Sequence, residues 1–287
     1  MDWILGLALR PNGEGAIQLA CWLAGLGRGH AFFPLHVLED EHLRMVLRHH
    51  HLDEVTEGAR RAARAALEPL AARGAQAEPH LAQAPDAAGA LAEACRTRAA
   101  DGIVIGRAGR REGGGLVRLG RVARGLLRSL PAPVIVAPPD LSLADVGDGP
   151  VVALVKLAPG SPVLDAARAL ATATGRALLA VHVVADEEEG PYLPLATREH
   201  AAREELADAE ARLATWAAEH GLAAGQAVAV PGRTVERAIG VAVERRAPLL
   251  VVGGRRTSPA GALLGAGLGR ELAAISPLPV AVIPLGP

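Results

Sequence analysis

Two stretches of this sequence combine glycine and arginine in a way that suits an oxyanion. The first is GIVIGRAGRREGGGLVRLGR, residues 102–121, and the second is LLVVGGRRTSPAGALLGAGLGR, residues 249–270. Each begins as a short apolar strand, passes into glycines and guanidinium side chains, and leads into a helix start. Glycine lets backbone N–H groups approach an anion, a helix N-terminus adds partial positive charge, and arginine's forked donors match phosphate. The candidate ligand-holding residues are Gly106, Arg107, Gly109, Arg110, Gly120 and Arg121 in the first stretch. In the second they are Gly253, Arg255, Arg256, Ala266 and Gly267, with Thr257 and Ser258 nearby. The competing reading is a solvated basic turn. Neither stretch is a Walker loop, because no Gly-Lys-Ser/Thr follows.

Other residues offer less. Gly13-x-Gly15-x-x-Gln18, with Glu39 or Asp40 placed to meet a ribose, is a near miss to a dinucleotide fingerprint. Gln18 stands where a small residue must let helix and strand approach. His49-His50-His51, with His42 and Asp53 close by, invites a metal reading. Three consecutive helical residues splay over about 200°, so no metal centre is expected. His36 and His182 lie in apolar runs and read as satisfied core histidines. The acidic run Asp186-Glu187-Glu188-Glu189 reads as a solvated loop. There is no Gly-x-Ser-x-Gly elbow, no zinc-type spacing and no acid pair beside the glycine loops, so no dedicated enzyme is expected.

The 287 residues are 50% hydrophobic and 21% charged, a globular balance. Aromatic residues make up only 2%, so Ala, Val and Leu must build the cores. A formal net charge of −1 argues against a nucleic-acid partner, which needs excess cation to displace counterions. Cys21 and Cys95 fit no metal spacing and imply no disulfide framework. The first residues, MDWILGLALRP, lack a basic leader and a cleavage site. No apolar run approaches the roughly eighteen residues of a membrane span. A cytoplasmic protein with no membrane partner is expected, bacterial if the Ala/Arg/Gly bias reflects a GC-rich genome.

The elements that must position the glycine loops are written twice. ILGLAL (4–9) matches VVALVKL (151–157), and AFFPLHVLED (31–40) matches ALLAVHVVADEE (177–188). DGIVIG (101–106) matches APLLVVGG (247–254), and PAPVIVAPP (131–139) matches PLPVAVIPL (277–285). His36 to His182, Gly106 to Gly253 and Val134 to Val280 are offset by 146, 147 and 146 residues. The spacing predicts two units, 1–140 and 151–287, joined by a linker over 141–150. Within each, strands alternate with helical patterns. Strand three is read over QAEPHL and QAVAVPG, and the second helix over EGARRAARAALEPLAARG and HAAREELADAEARLATWAAEHG. Alternating strands and helices predict an α/β fold: two tandem Rossmann-like or flavodoxin-like units, each a five-stranded parallel sheet with helices on both faces. With strand order 3-2-1-4-5, ligands belong at the carboxyl ends of strands one and four. Leu9–Gly15 then faces Gly106–Gly120, and Lys156–Ser161 faces Gly253–Gly267.

Together the strand-one and helix pattern, the LHV of strand two, the VxG of strand four and the PVxVxP of strand five resemble the universal stress protein family in tandem form. The resemblance covers nearly the whole chain. It implies a non-catalytic stress-response protein that needs no cofactor, with ATP or another adenine nucleotide as its ligand. The family's nucleotide-binding members carry Gly-x2-Gly-x9-Gly-(Ser/Thr) after strand four, and an Asp at the end of strand one. Here Gly106-x2-Gly109 is followed by ten residues before Gly120, and Arg121 takes the hydroxyl position. In the second unit Arg256 replaces the second glycine, and Ala266-Gly267 replaces Gly-Ser. Leu9 or Arg10, and Lys156, stand near the acid's place. Each missing polar contact costs about 1–3 kcal/mol. The alternative is a ligand-free interaction module that docks a partner through its helical faces or through residues 39–57 and 186–199. The family also implies antiparallel pairing of fifth strands, so 134–137 should meet 280–283 within one chain as an internal pseudo-dimer. Further homodimerisation is left open.

Overall fold

The computed structural model describes residues 1–287 except 10–12, 76, 108–118, 186–194, 257–266 and 287, together with the side chains of 195–198. Unit one runs β1 (Asp2–Gly6), α1 (Glu14–Gly25), β2 (Ala31–Glu39), α2 (Asp40–Val46), α3 (Leu52–Ala71), β3 (His80–Ala84), α4 (Ala87–Thr97), β4 (Gly102–Gly106), α5 (Arg121–Ser129) and β5 (Val134–Ala137). Unit two runs β6 (Val151–Leu154), α6 (Pro162–Thr174), β7 (Leu178–Val184), α7 (Leu195–Glu219), β8 (Ala227–Pro231), α8 (Thr234–Glu244), β9 (Leu250–Arg255), α9 (Leu268–Ile275) and β10 (Val280–Leu285).

The strands form one sheet in the order β3-β2-β1-β4-β5-β10-β9-β6-β7-β8. Each unit therefore has the 3-2-1-4-5 order on which the placing of the ligand depended, and all pairs inside a unit are parallel. The units join by one antiparallel ladder: Val280 faces Val136, Ala281 faces Ile135 and Val282 faces Val134. This is the expected pairing of 134–137 with 280–283. Both joining strands are flanked by prolines and their apolar residues are buried, as strands covered on two faces require.

Alternation along the strands splits the core into two layers. Trp3, Leu5, Val104, Ile135 and Ala281 face α1, α3, α6 and α7. Ile4, Ile103, Ile105, Val134, Val136, Val280 and Val282 face α4, α5, α8 and α9. Each layer continues through the seam from one unit into the other. His36 and His182 each use Nδ1 on the carbonyl just past the first strand of their unit, Leu7 at 2.9 Å and Val155 at 3.2 Å, which satisfies that nitrogen of each ring.

Three local details differ from the sequence reading. The first unit's third strand lies over HLAQA rather than QAEPHL. Pro79 has no N–H to give a ladder, so pairing starts only after it. The second helix of unit one begins at Leu52, five residues early, because the Glu54 carboxylate accepts the His51 backbone N–H at its start. A short helix, α2, follows β2 directly, and the exposed His49 to His51 lie in the turn between α2 and α3.

The segment between the units is packed. Leu141 is buried, and Ser142–Asp145 makes a capped turn. Arg246 donates Nε to Asp148 (2.8 Å), Arg176 donates to the Asp148 carbonyl, and Gly149 N–H reaches the Arg246 carbonyl. A Cβ at Gly149 would come within 1.8 Å of the Arg245 oxygen.

A second bridge crosses the unit boundary. The Trp3 indole donates to His30 Nδ1 (3.2 Å), so the ring's proton sits on Nε2, which donates to the Ala173 carbonyl (3.2 Å). Beside it Arg28 donates to the Thr172 carbonyl and presses on Gly175, the left-handed residue that ends α6.

Two outcomes follow. Gly149→Ala should cost about 1–3 kcal/mol in chemical denaturation, because the backbone at 245 must yield. A flexible joint would show no loss. Burial holds His30 below the ordinary imidazole value of 6.5, more strongly than its Ala173 bond raises it. Below that value the unfolded chain takes up a proton that the folded chain refuses, so stability is lost as pH falls. The melting temperature should therefore drop between about pH 7 and pH 5, and less steeply in His30→Gln.

Candidate functional site

The topology puts the ends of β1 and β4 side by side, and a cleft of about 580 Å³ opens there in unit one. Its floor is Gly6 to Leu9, Val37 to Glu39, Ile105 and Gly106. Leu43, Val46 and Val55 cover it from α2 and α3, and Ala87 and Leu91 wall it from α4. Gly120 to Ala123, the start of α5, closes the remaining side. The lining is mostly aliphatic; its polar members are His36, Glu39, His42 and Arg121.

Two helix N-termini, those of α4 and α5, border this cleft. Asp86 caps α4 by accepting the Gly89 N–H (2.8 Å), and the Glu39 carboxylate accepts the Ala87 N–H (3.0 Å). Gly120 precedes α5 and supplies no capping side chain, so the first-turn amides of α5 keep their capacity to donate. Arg121 begins that helix, where a cation opposes the dipole, and its guanidinium pairs with Glu39. Glu39 is mostly covered and Arg121 mostly exposed, so the pair forms a clasp at the mouth. His36 sits below; burial holds it beneath the usual imidazole range, leaving a neutral ring whose Nε2 can accept.

The predicted residues separate. Gly106, Gly120 and Arg121 meet at the cleft. Gly109, Arg110 and Ala266 lie outside the described residues. Arg107 turns away from the cleft. Its guanidinium is buried and donates to the carbonyls of Ala274 (2.8 Å) and Ser276 (2.9 Å) at the end of α9, with Ala273 at 3.4 Å. It caps a helix of the other unit, which is a different use from the anion donor read in the sequence.

In unit two, β9 runs two residues past the point where β4 ends, and Gly253 and Gly254 pair in the ladder with Ile283 and Pro284. Arg255 pairs with Leu285, and both Arg255 and Arg256 are exposed. Gly267 precedes α9 as Gly120 precedes α5. The positions matching Glu39 and Arg121 are Ala185 and Leu268, the first residue of α9, so the clasp belongs to unit one alone. Gly13 and Gly15 serve packing: a Cβ on Gly13 would meet the Ala8 oxygen at 2.3 Å, and one on Gly15 the Pro138 oxygen at 1.8 Å. Among the described residues no group of three His, Cys, Asp or Glu could hold a metal ion. No described helix is long and apolar enough to cross a membrane.

Sequence reasoning missed the contribution of α2 and α3. The signal was present in Leu43 and Val46, three residues apart just after the second strand. It also weighed Glu39 only as a ribose acid, because its partner Arg121 lies far along the chain.

Comparison with known proteins agrees with the doubled topology. No curated protein matches the chain as a relative. Its fold is similar to that of a universal stress protein from Archaeoglobus fulgidus DSM 4304 (TM-score 0.70, 20% identity, 99% of this chain and 98% of that one covered). It is also similar to a functionally unknown protein from Pseudomonas aeruginosa PAO1 (TM-score 0.65, 16% identity, covering 99% and 92%). The profile of the Universal stress protein family matches residues 5–138 and, separately, residues 152–284. The chain therefore belongs to the universal stress protein family, as a tandem pair of its domains.

Proposed function

We propose that this protein is a non-catalytic, cytoplasmic stress-response protein that holds one adenine nucleotide, ATP or a relative, in unit one. The cleft at the ends of β1 and β4 carries this reading: an aliphatic slot for a base beside the first-turn amides of α5, to which Gly120 gives no side-chain cap, and an arginine. Gly106 and Gly120 let the ligand approach the backbone, and Arg121 supplies the charge. Binding would exchange the Glu39 carboxylate for a phosphate oxygen on Arg121, a clasp opened by the ligand's own anion. No described residue on the cleft is a nucleophile beside a base, which favours holding over turnover. Unit two serves as the structural counterpart, since its glycines are spent on the β9 ladder. Two buried free cysteines suit a reducing compartment.

A second reading has one specific observation in its favour. Met45, Leu47 and Leu52 are exposed on the α2–α3 segment, an apolar set that suits a protein partner better than water.

Nucleotide extracted from protein purified without added ligand, identified by mass spectrometry, should be adenine-based. Calorimetry with ATP, ADP and AMP should give one site per chain. Arg121→Ala should weaken it about 10–100-fold, the worth of one charge-assisted contact. Arg255→Ala and Arg256→Ala should leave it unchanged. Absence of binding, or two equal sites, defeats the reading.

A further inference from the structure

The seam between the units is almost twofold symmetric, with the axis between Ile135 and Ala281. Val134 and Val280 occupy matching places, as do Val136 and Val282. Position 107 in unit one then matches 254 in unit two, and 130 matches 276. Each side of the axis thus holds one such pair across the boundary. On one side Arg107 meets Ser276. On the other Gly254 meets Leu130, whose Cδ1 lies 2.6 Å from where a Cβ on Gly254 would sit.

The two pairs fill the same kind of space in opposite ways. Arg107 brings a long side chain that donates to the Ser276 backbone carbonyl, while the short Ser276 side chain turns its hydroxyl to its own backbone at Leu278. Leu130 brings the bulk on the other side, held in the left-handed region at φ 37 and buried, and Gly254 makes room. Arg107, Ser276 and Leu130 are all buried, so neither a gap nor a collision can be relieved into solvent.

From this we infer that the seam encodes unlike pairing: the β5 edge fits the β10 edge and rejects a second copy of itself. Two unit-one edges would set Arg107 against Leu130 on both sides of the axis, with the leucine where the arginine Cβ must pass. Two unit-two edges would set Gly254 against Ser276 twice. That arrangement leaves a void and strips the carbonyls of Ala274 and Ser276 of the guanidinium they accept. The partner that each edge selects is the other unit of this chain.

A mutant cycle in the full chain tests the fit. Arg107→Gly and Ser276→Leu should each lower the melting temperature by about 5 °C or more. Together they copy the Gly254–Leu130 side, so the double variant should regain more than half of the summed loss. The mirror cycle, Gly254→Arg with Leu130→Ser, should behave the same way and covers a variant that fails to fold. Strictly additive losses in both cycles overturn the inference. Pairing is read directly from a full chain with a protease site in 141–150, cut after folding and left to equilibrate. Native mass spectrometry should find unlike halves together in large excess; like and unlike pairs in random proportion overturn it.

Discussion

Three facing residue pairs of antiparallel ladder, between β5 and β10, hold this molecule together as one object. Each of those strands would be an apolar edge in a lone unit, and exposed apolar edges recruit other strands. Joining them removes both edges at once and lets two core layers run unbroken from β3 to β8. The arginines reinforce the arrangement in a consistent way. Arg107 closes the end of α9, Arg28 the end of α6 and Arg168 the end of α7, each donating to a carbonyl in or just past the helix's last turn. Two of these three contacts cross the boundary between units. Part of the basic character of the sequence is thus committed to holding helix ends.

The duplicated loops have diverged through small differences in strand length. β4 stops at Gly106, beside the end of β1. β9 continues to Arg255 because β10 is long enough to pair with it through Leu285. The same VxG pattern therefore ends in an open cleft in one unit and in a hydrogen-bonded ladder in the other. The Glu39–Arg121 pair marks the difference chemically, since it occupies the mouth of the first cleft and has no counterpart at Ala185 and Leu268.

The sequence was explicit about whatever is local or periodic. The offset of about 146 residues and the strand-helix alternation could be read from repeated apolar strings, and the joining of 134–137 to 280–283 followed from the family resemblance together with the proline-flanked apolar ends. The destination of Arg107 could not. An arginine after a strand-ending glycine looks the same whether its acceptor is a phosphate or the last carbonyls of a helix 166 to 169 residues away. Glu39 was hard to interpret for a similar reason, because Arg121 is 82 residues distant. α2 was missed because seven residues hold too little period to separate a helix from a loop.

The antiparallel seam also decides what the two halves can share. Strands of unit one point one way and those of unit two the other, so the two loop regions open on opposite rims of the sheet. A five-residue strand such as β4 is about 17 Å long, more than a small ligand's reach. A molecule lodged on one rim touches only one set of loops, and beneath it lie the tails of the opposite half's helices. The fused chain is two-headed, with a different head presented in each direction.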